Sequence, residues 1–359
     1  MSITLNKDPT IPISSGVPTN QQAEALHIQS ALDAIKAPVA VPSKLVAAEE
    51  QKEDAKKYIE EYDLRHAICT YNGIKSSKNI EADALRSGAK QFSETLGNLP
   101  ENIRKMIPEE CLKMTIEAFK NASTLSILTA NQKTVDDIRQ GKLVLVPAGF
   151  KGHEFYLVFG LGYLFICNRG DRPDSTKMLQ SYKIDTSRFS LSDLQEILQI
   201  VVLGTRRDFE GKFELILRNF LLRDYVMAPA TDRFCSFVER DLSPKKDQKI
   251  GNCVYVNAKL ASRLAVAISL NMKKTKLALS LGIGIVKNIK IAKKFSKAVS
   301  AHNRLKALDK YIAFDLENKE LGLRDDALGK EAASLAIKHL KSNPELDLAD
   351  YPLFKKVLS

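Results

Sequence analysis

Apolar and polar positions between residues 150 and 170 follow a strand-like order. His153-Glu-Phe-Tyr-Leu-Val-Phe-Gly160-Leu-Gly-Tyr-Leu-Phe-Ile-Cys-Asn168 holds two runs of aromatic and branched residues joined by a glycine turn at Gly160 and Gly162. Such runs around glycines predict two antiparallel strands and a tight turn, since glycine supplies the positive φ that the turn needs. With a two-residue loop at Gly160-Leu161, His153 falls directly opposite Asn168, their Cβ atoms about 5 Å apart. The apolar run 142–147 predicts a strand before this hairpin, with Pro147-Ala-Gly as a turn. Residues 178–184 predict a strand after it.

Elsewhere the pattern is helical. Helices are expected over 21–36, from Ser43 to about Tyr62, and over 78–97, 100–106 and 108–121, with Pro100 and Pro108 near helix starts. Residues 192–202 predict a helix capped by Ser192, with Gln195 completing a capping box. Residues 212–224 fit strand or helix equally, and 234–240 helix or loop. From Val254 to Leu270 the chain is apolar on most faces, as in a buried helix. A basic amphipathic helix over 284–312 and another over 325–341 follow. The expected fold is α+β. A disordered stretch, 1–20, precedes a helical region, 21–135. A domain with a small antiparallel sheet and C-terminal helices covers 136–359.

Composition adds two constraints. The 359 residues are 44% hydrophobic and 27% charged, enough for a sizeable core. No apolar run reaches the about 18 residues of a membrane span, and the first residues lack the apolar core of a Sec signal. Five cysteines without a CxxC pair argue for free thiols in a reducing compartment rather than a disulfide or zinc framework. No GxGxxG, P-loop or HExxH occurs, so no cofactor and no structural metal are expected.

The net charge of +11 is unevenly placed: residues 271–310 hold eleven Lys/Arg and one acid. A solvated helix face explains such a run. So does an acidic partner, whether an anionic membrane, a nucleic acid or an acidic protein, met through Lys287, Lys290, Lys293 and Lys294.

The candidate chemistry centres on Cys253. It follows the basic loop Ser243-Pro-Lys-Lys-Asp-Gln248-Lys-Ile-Gly-Asn and opens the apolar helix, where the positive end of the helix dipole stabilises a thiolate. A cysteine nucleophile needs a base, a group orienting that base, and oxyanion donors. His153, Asn168 and Gln248 suit these roles, with the Cys253 backbone N–H as a second donor. Cys69, Cys111, Cys167 and Cys235 lack this context and read as structural. His302 and His339 lie on charged helices and are poor bases.

Gln248 and Cys253 at a helix entry, together with Gly152-His153 and a strand pair ending in Asn168-Arg-Gly170, resemble the papain-like cysteine peptidases. The chain order here is His–Asn–Cys, so the arrangement is circularly permuted, and the chain has no tryptophan. The set Gly-His, Cys-Asn-Arg-Gly and Gly-Asn-Cys is similar to cysteine-protease-like domains of type IV-secreted effectors of intracellular bacteria. The resemblance covers residues 140–275. It implies a Cys253/His153/Asn168 triad, with Gln248 in the oxyanion hole, acting on a protein substrate such as a host protein or a ubiquitin-like one. It also implies delivery into a host cell. The chemistry would be that of a peptidase, deubiquitinase-like enzyme or deamidase. The alternative is a non-catalytic protein that binds an acidic partner through the basic face of 271–310.

Overall fold

The computed structural model describes residues 85–150, 153–168, 179–203, 233–242, 253–274, 279, 282–317 and 326–358. Within them, helices surround one four-stranded antiparallel sheet of order β1-β2-β3-β4: β1 Val144–Phe150, β2 His153–Gly160, β3 Tyr163–Cys167 and β4 Leu179–Lys183. The fold is α+β, as expected. The helices are α1 Leu85–Gly97, α2 Glu101–Arg104, α3 Glu109–Thr124, α4 Gln132–Arg139, α5 Leu191–Leu203, α6 Arg233–Leu242, α7 Cys253–Ser269, α8 Ile285–Glu317, α9 Asp326–Lys341 and α10 Pro352–Leu358. The helices expected at 21–36 and 43–62 and the ambiguous run 212–224 lie outside the described residues.

Pro100 and Pro108 stand immediately before α2 and α3, where a missing N–H costs nothing. Asn131 caps α4, its side chain accepting from the Thr134 N–H. Two local expectations are corrected. Pro147 is not in a turn: β1 runs through it to Phe150, and Pro147 pairs with Tyr156. As the first strand in the order, β1 is paired on one side by β2, and an edge strand tolerates a residue without an N–H. The cap of α5 is Ser190 rather than Ser192. Asp193 Oδ2 accepts from the Ser190 N–H and hydroxyl, and the Asp193 N–H returns a bond to Ser190 Oγ. This is the reciprocal capping box, set two residues earlier than Ser192 and Gln195 would place it.

The sheet separates two cores because strand side chains alternate between faces. Phe155, Leu157 and Phe159 of β2 join Leu164 and Ile166 of β3 and pack against Leu194, Ile197 and Leu198 of α5. On the other face Tyr156, Val158, Tyr163, Phe165 and Cys167 pack with α1, α3, α6, α7 and the first half of α8. A third core joins the second half of α8 to α9 and α10 through Leu305, Leu308, Tyr311, Ala336, Tyr351 and Phe354.

The turn of the hairpin is also displaced. Gly160 pairs with Tyr163, so the loop is Leu161-Gly162. Both loop residues hold positive φ, 60° and 81°, which a type I′ hairpin turn requires.

Candidate functional site

The shifted turn changes the relation of His153 to Asn168. The β2–β3 register runs from Gly160↔Tyr163 to Tyr156↔Cys167. Continued by one residue, it sets Asn168 opposite Phe155. His153 is therefore not directly across from Asn168. The two positions are diagonal neighbours on one face, about 7–8 Å apart. His153 opens β2 and pairs with Phe150 across the β1–β2 ladder. Asn168 follows the last residue of β3 and is buried. Gln248 lies outside the described residues.

Cys253 is the first residue of α7, as expected. The helix packs along β2, and two contacts give its direction. Ile268 near its end lies against Gly160 at the end of β2. Near its start, the tilted ring of Tyr255 lies 5.6 Å from Phe92, Phe92 stacks on Phe119 at 5.4 Å, and Phe119 meets Tyr156 edge-on at 6.1 Å. The helix thus runs parallel to β2. From Ile268 back to Cys253 it rises about 22 Å, and from Gly160 back to His153 the strand covers about 23 Å. The starts of both elements come to the same end of the sheet. Position 153 shares the alternation of Phe155, Leu157 and Phe159, the α5 face, whereas α7 lies on the other face. Positions 253 and 153 thus share one end of the sheet and belong to its opposite faces.

The other described cysteines are buried. Burial pushes the Cys167 thiol far above its usual value and raises that of Cys111, to which the Glu110 carboxylate adds. A thiol held protonated is a poor nucleophile.

A buried polar cluster beside the start of α7 was not legible in the sequence. The Tyr255 hydroxyl lies 3.3 Å from Ser300 Oγ of α8. On the same helix His302 Nδ1 is 2.5 Å from the Tyr351 hydroxyl. Arg304 contacts the ring of His339 in α9. Burial, with Lys306 nearby, pushes the His302 pKa down to about 4. Burial and then Arg304, with three lysines, bring His339 to about 4. The Tyr351 hydroxyl is pushed upward by burial and by Asp350 and Asp309. These partners are some 35 to 49 residues apart, so no short motif marks them.

A separate cleft of about 220 Å³ lies between α3, α4 and the start of β1, edged by Asn121, Thr124, Thr129, Asn131 and Thr134. None of the expected site residues lines it. Among the described residues no three His, Cys, Asp or Glu side chains gather as metal ligands.

No protein-family model and no curated protein matches the chain. Among solved structures it is similar to the Legionella effector AnkH, at 15% identity and a TM-score of 0.42, over 86% of this chain and 69% of that one.

Proposed function

We propose that the chain is a cysteine hydrolase acting on a protein substrate, with Cys253 as nucleophile, His153 as base and Asn168 as the group that orients the base. The observation that supports this reading is the parallel run of α7 and β2, which brings the first residue of each, Cys253 and His153, to one end of the sheet. The helix start contributes a positive dipole end for the thiolate and backbone N–H groups that the helix itself does not use, for an oxyanion. The Cys253 sulfur attacks a substrate carbonyl as His153 takes the thiol proton. The carbon–nitrogen bond breaks, and His153 returns the proton to the leaving amine. Water then hydrolyses the thioester, releasing the acid and restoring the thiol. The sequence resemblance supports the further reading that the protein is a bacterial effector delivered into a host cell.

Iodoacetamide labelling near pH 6, read residue by residue, tests the site. Cys253 is expected to react faster than Cys111, Cys167 and Cys235, and His153→Ala to slow it at least tenfold. A Cys253 rate equal to that of the buried thiols, or one indifferent to His153→Ala, overturns the reading.

A further inference from the structure

Ile283 is 58% exposed and stands at the tip of the turn Gly282-Ile283-Gly284 that leads into α8. The flanking glycines hold positive φ, 74° and 68°, a backbone that side-chain-bearing residues adopt with strain. An exposed isoleucine alone needs no explanation. Its surroundings do.

Cations from three segments ring this turn. A Cβ on Gly282 would touch Phe237 and Arg233 of α6, and one on Gly284 would stand 3.0 Å from the Lys274 ammonium. Arg240 lies over the Phe237 ring at 4.9 Å. Lys287 and Lys290 follow Ile283 at helical spacing, four and seven residues on, and with Lys293 they are exposed on α8. The carboxylate within this set is Asp241. It is paired with Arg240 at 2.8 Å and held below the usual carboxylate range by Arg240, then by Lys293 and Lys290. Among the described residues six cations thus line this corner: Arg233 and Lys274 at the turn, Lys287 one helical turn beyond it, and Arg240, Lys290 and Lys293 around Asp241.

The aliphatic tip decides what such a surface fits. Nucleic-acid phosphates would be met by the cations, but they give a branched aliphatic group little to bury in. A bilayer carrying anionic lipid offers both: phosphates for the rim and the headgroup–acyl boundary for the tip. The apolar side of α8 is already spent on Ile285, Ile289, Ala292 and Phe295 in the core, so docking would be shallow, through the turn and the lysine face.

We propose that this corner, Ile283 within the rim of Arg233, Arg240, Lys274, Lys287, Lys290 and Lys293, docks the protein on an anionic lipid bilayer. The full chain is sedimented with vesicles of phosphatidylcholine, or of phosphatidylcholine mixed with phosphatidylserine. It is expected to pellet with the mixed vesicles at low salt and to be released by high salt. Neutralising one lysine lowers partition roughly fivefold, so Lys287→Glu/Lys290→Glu is expected to lower it more than tenfold. Ile283→Ser is expected to weaken vesicle binding several-fold and to leave any binding to single-stranded RNA unchanged. Matching thermal melts confirm that the variants fold. Equal pelleting with pure phosphatidylcholine, no effect of the lysine pair, or no effect of Ile283→Ser on vesicles overturns the proposal. The last result, with RNA binding lost in the lysine pair, would assign the surface to nucleic acid instead.

Discussion

Ile268 fills the space that a side chain at position 160 would need: a Cβ on Gly160 would stand 2.7 Å from the Ile268 Cγ2. This contact sets how closely α7 approaches β2, and it fixes which end of the helix lies over the turn. Gly160→Ala is therefore expected to destabilise the fold by about 1–3 kcal/mol through overpacking. Ile268→Ala, which removes the Cγ2, should cost less in the Gly160→Ala background than it does alone. Urea unfolding of the single and double variants checks it, and losses that simply add would refute the contact as the cause.

Glu239 of α6 holds β4 from the side. One carboxylate oxygen accepts from both the Ser181 N–H, at 2.8 Å, and the Ser181 hydroxyl, at 2.5 Å. Glu239→Ala leaves a strand N–H and a buried hydroxyl without this acceptor and should cost about 1.5–3 kcal/mol. Ser181→Ala removes one bond and should cost less. Thermal unfolding of the pair gives the order, and the reverse order would discount the carboxylate.

The His302–Tyr351 pair predicts a pH dependence. An unfolded histidine titrates near 6.5, whereas in the fold His302 stays neutral down to about 4. Between these values the unfolded chain binds the extra proton. The stability from neutral His302 is thus fully present above about pH 6.5 and is lost as the pH falls towards 4. A single group shifted this far contributes on the order of 3 kcal/mol across that window. His302→Gln should unfold with a shallower pH dependence from 6.5 to 4. Identical slopes for the parent and the variant would count against it.

The hairpin, the buried helix opening at Cys253 and the basic helix were all legible from period and composition. The turn was misplaced by one residue for a physical reason. Gly160 looks like a turn residue, but it is glycine because Ile268 leaves no room for a Cβ, and the positive φ falls on Leu161 and Gly162. Moving the loop by one residue shifts the facing pairs by two, so His153 and Asn168 keep a common face and lose direct opposition. Pro147 read as a turn because a strand interior rejects proline, yet an edge strand admits it. The long-range polar pairs of α7, α8 and α10 left no trace, because a hydrogen bond between distant segments has no sequence period.

Asp309 of α8 caps α10 from a distance. Its Oδ1 accepts from the Leu353 and Phe354 N–H groups at 2.9 and 2.8 Å, satisfying donors that the helix start leaves open. Asp309→Ala should cost about 1–2 kcal/mol. Hydrogen exchange should rise in α10 and not in the sheet. Uniform acceleration across the chain would point to a global defect instead.

Native alkylation at pH 8 should leave Cys111, Cys167 and Cys235 unmodified for as long as the fold persists, and denaturant should release them together, since all three belong to one core. Mass spectrometry of partly unfolded samples reads this directly. Staggered release would divide the core into independent units.

One helix, α8, serves two cores: its first half lies with the sheet and its second half with α9 and α10. At 33 residues it is about 50 Å long, with the lysine face at one end and the buried histidine and its tyrosine farther along. A rod shared in this way ties its two cargoes to a single orientation. Whatever surface steadies the lysine end also sets the heading of the C-terminal helices.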